Sequence, residues 1–114
     1  MLDIQKLERE RKKSYKAWFD RWWNREEVEK QIIIANKQGY IGKTFDLKNY
    51  NDYEKNRMRD EMFLEMAKEK LPGMLIYRDN KTISYELFGT KIGNLKEKVI
   101  IKWACEKTNE KTNI

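Results

Sequence analysis

Histidine is missing from this chain of 114 residues, and cysteine and proline occur once each. Without histidine no His-dependent catalytic triad and no His-ligated metal site can form. One cysteine cannot pair within the chain, so a disulfide scaffold is excluded. Glycine is sparse, at five residues. Long apolar runs are missing too. The longest is Ile32-Ile33-Ile34-Ala35, far short of the roughly 20 residues that a membrane-spanning helix needs. The segment Lys6 to Lys16 is crowded with charge, unlike the apolar centre of a signal peptide. A reduced, cytoplasmic protein with no membrane association is therefore expected.

Charge and aromatic rings are what the chain has in quantity. Lys and Arg number 25 against 19 Asp and Glu, a formal charge of +6. Four Trp, six Tyr and four Phe are too many for a disordered charged tail. They give one domain of this size enough surface to bury a core. Lys, Asn and Ile supply 38 of the 114 residues. Their codons are AT-rich, which points to an AT-rich coding genome.

The pattern predicts a helix from Asp3, a plausible N-cap. At 100° per residue, Ile4, Leu7, Tyr15, Trp18, Phe19 and Trp22 form an apolar stripe. Arg11 falls within that stripe, so it either pairs with a carboxylate or lies under a partner. Asn24-Arg25-Glu26-Glu27 has capping-box form, which predicts a kink and a second helix; one helix to Gln38 is the alternative. Gly39 suits a helix stop. A strand is expected over Tyr40 to Leu47. A helix follows from about Asp52 to Leu71, with Met58, Met62, Phe63 and Met66 on one side and Leu64, Ala67 and Leu71 on another. Pro72-Gly73 ends it. Strands are expected at Met74–Arg78, Ile83–Phe88 and Lys98–Trp103, with a turn at Asp79-Asn80-Lys81 and a loop at Gly89–Asn94. Ile83, Tyr85 and Leu87 would share a face. The fold class is α+β: two N-terminal helices or one kinked helix, a further helix, and an antiparallel sheet of three to four strands. Residues 1–106 are expected to form a single domain and 107–114 a flexible polar tail.

Several motifs invite chemistry without completing it. Gly42-Lys43-Thr44 ends like a phosphate-binding loop, but that motif needs glycine where Lys37 stands and a strand running into a helix. Gly39-Tyr40-Ile41-Gly42 fits the GXXG pattern of KH domains, yet no helix is expected after it. Asp79 and Glu86 fall near predicted strands as a magnesium nuclease would want, but Phe88 stands where a lysine would complete the pattern. Glu65 and Glu69 neighbour Lys68 and Lys70, an ordinary solvated face. Asn80-Lys81-Thr82 matches a glycosylation sequon and reads as a turn. Cys105 reads as structural. No catalytic residue, cofactor or metal is expected.

The strongest functional signal lies on the first helix. Between Arg9 and Arg25 stand seven basic residues against Glu10 and Asp20. Arg9, Lys12, Lys13 and Lys16 share a face, with Trp23 beside it and Arg25 beyond. Such a patch is the electrostatic footprint of phosphate binding. An aromatic beside it could stack on a base or fill a partner's pocket. A solvated helix face, with Trp23 in the core, is the plainer alternative. The candidate binding residues are therefore Arg9, Lys12, Lys13, Lys16, Trp23 and Arg25.

The segments Ile32-Ile33-Ile34-Ala35-Asn36-Lys37-Gln38-Gly39-Tyr40, Leu71-Pro72-Gly73 and Val99-Ile100-Ile101-Lys102-Trp103, in this layout, resemble small phage and mobile-element proteins of AT-rich Gram-positive bacteria. The resemblance spans about residues 28–103 and carries no diagnostic motif. Several such proteins are anti-CRISPR inhibitors, which bind a host Cas nuclease without catalysis. The resemblance implies a binding protein acting on a host nuclease or nucleoprotein complex, and it assigns no residue. The basic charge argues against mimicry of DNA. Three alternatives stand: a direct DNA- or RNA-binding regulator, a phage assembly protein that forms a homodimer through its N-terminal helix, and a small ribonuclease using Lys and Arg.

Overall fold

The computed structural model describes residues 2–104, apart from the side chains at 83, 85, 87, 92 and 94. Cys105, the tail at 107–114 and the shared face of Ile83, Tyr85 and Leu87 lie outside what it describes. The fold is α+β. Helices α1 (Ile4–Arg25) and α2 (Val28–Lys37) form one bent N-terminal unit. Strand β1 (Gly42–Asp46) and a 3-10 turn at Leu47–Asn49 follow. Then come α3 (Asp52–Arg59), α4 (Glu61–Lys70), β2 (Leu75–Leu87) and β3 (Thr90–Lys102). The sheet is antiparallel, in the order β1-β3-β2.

Aromatic residues of α1 build the core. Tyr15, Trp18, Phe19, Trp22 and Trp23 are all buried. Trp22 meets Phe63 of α4 edge-on at 5.0 Å and Phe45 of β1 at 5.7 Å. Phe19 meets Phe63 at 5.3 Å. Val99, Ile101 and Ile76 close the same core from the sheet. The expected methionine side of the third helical region is borne out, since Met58, Met62 and Phe63 are buried and Met66 packs partly buried against the core.

The kink is real, but it is not the Asn24 capping box. The bend falls at Glu26 and Glu27, and Glu27 adopts a left-handed φ of 50° with no side-chain cap. Gln31 secures it instead: its side-chain amide donates to the Glu26 carbonyl. Burial of Trp22, Trp23 and Val28 on either side of the turn sets its direction more strongly than one cap would. Gly39 ends α2 as expected, at φ 93°. Tyr40 N–H donates to the Ala35 carbonyl and Gly39 N–H to Asn36, each at 3.0 Å, a Schellman closure.

Three further expectations need correction. The single helix over Asp52–Leu71 is broken at Asp60, whose extended backbone (ψ 141°) ends α3 and whose carboxylate accepts from Met62 N–H at 3.0 Å to start α4. Arg78 satisfies the carbonyls freed there, donating to Met58 at 2.6 Å and Asp60 at 2.7 Å. Asp79-Asn80-Lys81 is not a turn, and Gly89–Asn94 is not a loop. Both lie in an unbroken ladder in which Asp79 pairs with Lys98 and Leu87 with Thr90. The reversal is the two-residue turn Phe88-Gly89, with φ 51° and 79°, the sign pattern of a type I′ hairpin. Continuous pairing along 13 residues per strand outweighs local turn composition.

Candidate binding surface on the first helix

The expected apolar stripe of α1 divides into two parts. From Tyr15 onward it is core, but Ile4 and Leu7 are 73% and 46% exposed. Every residue from Leu2 to Ser14 is exposed. The first half of α1 is thus an arm with little to pack against. Asp3 caps it as expected, accepting from Gln5 N–H at 3.0 Å. Its root is tied by Arg11, which donates to Asp60 at 2.9 Å, so Arg11 takes the carboxylate partner rather than the partner-covered surface.

The six sequence-selected residues fall into three groups. Arg9, Lys12 and Lys13 are exposed on the arm and enter no ion pair among the described residues. Lys6, which the sequence reading passed over, is exposed in the same arm. By helical geometry Lys6, Arg9, Lys12 and Lys13 span roughly 120° of its circumference. Lys16 is tethered, donating to Asp20 at 3.1 Å. Asp20 also meets Lys70 of α4 at 3.2 Å. The hydrogen bond from Lys16 first, and then the Lys70 ammonium, hold the Asp20 carboxyl below its usual range.

Arg25 and Trp23 lie apart from the arm. The Arg25 guanidinium binds Glu54 of α3 and lies 3.5 Å from Glu26, and its helical position is on the far side from Arg9. Trp23 is 5% exposed and its ring lies 5.5 Å from that of Phe19. Its expected stacking role therefore has no surface to act on. The signal that it belongs to the core was its neighbour Trp22: two adjacent indoles are both buried only where a helix is covered on more than one flank.

Around Arg25 a polar cleft of about 370 Å³ includes Glu26, Gln31, Lys43, Tyr50 and Glu54. Its carboxylates Glu26 and Glu54 are both engaged. The Tyr50 hydroxyl donates to Glu26, and burial, reinforced by that carboxylate, raises the Tyr50 pKa. Arg25 neutralises Glu54. Among the described residues, no group of three or more Cys, Asp and Glu side chains is placed to hold a metal ion. Gly42-Lys43-Thr44 lies on β1 and no α-helix follows directly, so it is no phosphate loop. Glycine is required at 42 because a Cβ would come within 2.9 Å of the Ile101 carbonyl oxygen.

Sequence inspection also missed a second basic locus. Lys48, Lys55 and Lys96 line a cleft of about 200 Å³ with Asp46 and Glu97, at the root of the β2–β3 ribbon. They are dispersed in sequence, and only the fold brings Lys48 of the 3-10 turn, Lys55 of α3 and Lys96 of β3 to one cleft. Glu97 is engaged by Arg59 through two hydrogen bonds of 2.6 and 2.8 Å. No helix of the described residues is long and apolar enough to cross a membrane. Comparison with protein-family models, with curated proteins and with solved structures gave no match.

Proposed function

We propose that this chain is a non-catalytic binding protein that modulates a nucleoprotein machine, docking through the arm at the start of α1. The observation that carries the reading is the arm's two chemistries. One side presents Lys6, Arg9, Lys12 and Lys13, which suits phosphate. The other continues the apolar stripe through Ile4 and Leu7, exposed at 73% and 46%, which suits a protein groove. A surface with both fits protein and nucleic acid held together better than either alone. A phage-type inhibitor of a host Cas nuclease, bound through its guide RNA and the protein around it, is the specific form of this proposal.

The test uses a guide-loaded Cas nuclease, the empty nuclease and the free guide RNA as three probes. The loaded complex should bind tightest. Arg9→Glu, Lys12→Glu and Lys13→Glu together should abolish that preference with an unchanged thermal melt. Equal affinity of the triple variant for the loaded complex sinks the reading. Direct nucleic-acid binding is the second reading, favoured by the lysine cleft at the ribbon root.

A further inference from the structure

The β2–β3 ribbon is the most unusual feature outside the arm. Its turn places Phe88 at φ 51° with 98% of its surface exposed. A type I′ turn strongly favours Asn, Asp or Gly at this position, because a side chain with bulk is strained at positive φ. Phenylalanine therefore weakens the turn and buries nothing in return. Strained positions of this kind concentrate where a residue serves binding.

The ribbon's charges point to the class of ligand. Asp79 stands opposite Lys98 and Glu86 opposite Lys91, and Glu97 is occupied by Arg59. Lys81, however, stands directly opposite Lys96. Like charges so placed destabilise a hairpin, and a polyanion against them removes that cost. Lys96 also lines the cleft with Lys55 and with Lys48, whose ammonium lies 3.8 Å from Asp46. Lysines thus outnumber the one carboxylate left to them at the ribbon root, Glu97 being held by Arg59, while an aromatic ring stands at the tip.

We propose that this ribbon binds duplex nucleic acid, with phosphates seated on Lys48, Lys55, Lys81 and Lys96 and Phe88 inserted as a wedge at a base step. Two-stranded ribbons enter the grooves of duplex DNA, and in proteins that kink DNA from the minor groove apolar side chains act as wedges between base steps. From the Lys81–Lys96 pair to the Leu87–Thr90 pair the ribbon rises about 20 Å at 3.4 Å per residue. That equals about six base steps along one strand. A hydrophobic pocket on a protein would accept the ring but would leave the lysine pair unexplained. This site is separate from the arm and does not rest on the arm's role.

A short labelled duplex carrying 2-aminopurine tests the proposal, read by anisotropy and by base fluorescence at about 50 and 200 mM salt. Wild-type chain should bind the duplex more tightly than the single strand and change the 2-aminopurine signal. Phe88→Ala should weaken binding about tenfold and abolish the fluorescence change. Phe88→Asn should raise the melting temperature, because Asn-Gly suits the turn, while weakening binding equally. Lys81→Gln with Lys96→Gln should lower the salt slope by about 2. Lys12→Glu with Lys13→Glu should leave the 2-aminopurine change intact at saturating protein, which separates this site from the arm. Undiminished affinity in Phe88→Asn overturns the proposal. So does a preference for the single strand, or no binding by the wild-type chain even at low salt.

Discussion

Asp60 serves several contacts at the junction of α3 and α4. Its carboxylate caps α4 through Met62 N–H at 3.0 Å and pairs with Arg11 at 2.9 Å, and its carbonyl accepts from Arg78 at 2.7 Å. The cap and the ion pair separate by substitution. Asn caps as well as Asp, and removing a cap costs about 1 kcal/mol. An ion pair whose arginine is 67% exposed contributes little. Asp60→Asn should therefore unfold in urea near the wild-type midpoint, and Asp60→Ala should lose about 1 kcal/mol. Equal losses in both would assign the stability to Arg11 instead. Glu97 gives a pH dependence. Hydrogen bonds from Arg59 hold its carboxyl below the ordinary value of 4.5, so the folded state binds its proton less readily than the unfolded chain. Stability from this group is complete above about pH 4.5 and declines as pH falls through the depressed folded value. Asp20 adds to the same acid limb. Thermal melts of Glu97→Gln should lose less on acidification than wild type. A parallel decline in both would remove Glu97 as a source.

At the scale of elements, the bend between α1 and α2 rests on one residue in an unfavourable conformation. Glu27 sits at φ 50°, where a non-glycine residue costs roughly 1–2 kcal/mol. Its ion pair with Lys30 is well exposed and adds little. Glu27→Gly should raise stability by about 0.5–1 kcal/mol. A continuous helix would give the opposite sign, since glycine in a helix interior costs about 1 kcal/mol, so the direction of the urea midpoint decides. The elements themselves were legible where period or punctuation carried them: the stripe from Tyr15 to Trp22, the methionine side of Met58 and Met62, and the stops at Gly39 and Pro72-Gly73. The break at Asp60 was written more faintly, as Arg57 and Arg59 closing one helix and Asp60-Glu61 opening the next, the charge order that helix dipoles favour. The ribbon was hidden because Asp79-Asn80-Lys81 has turn composition, whereas Phe88-Gly89 does not. Pairing across both strands is a non-local property, and no window of one strand contains it. For the candidate surface, Arg9, Lys12 and Lys13 could be read from spacing. The fate of Trp23 and Arg25 depended on the packing of Trp23 against Phe19 and on Glu54, 29 residues from Arg25.

The whole molecule is more extended than its length requires. Its radius of gyration is 18.0 Å, with extents of 64 × 47 × 23 Å, against about 13 Å for a compact domain of this size. Residues 2–14 of the arm are all exposed, as are the described side chains of the ribbon from 80 to 96, as expected of elements that project from the core. The arm then presents an energetic problem. Helices shorter than about 12–15 residues are marginal in water unless an apolar face is packed, and Ile4 and Leu7 are exposed. Continuity with the buried half of α1, the Asp3 cap and the tie from Arg11 to Asp60 hold it. Hydrogen exchange should therefore grade sharply along one helix. Amides from Glu8 to Ser14 should exchange through local fraying, and those from Phe19 to Arg25 only through opening of the Trp22 core. Binding of a partner to the arm should slow the first group and leave the second unchanged. Uniform protection along α1 in the free chain would mean that the arm is already covered. Light scattering would then identify the cover: a dimer makes Ile4 and Leu7 a self-association seam, and a monomer returns the arm to the body of the fold.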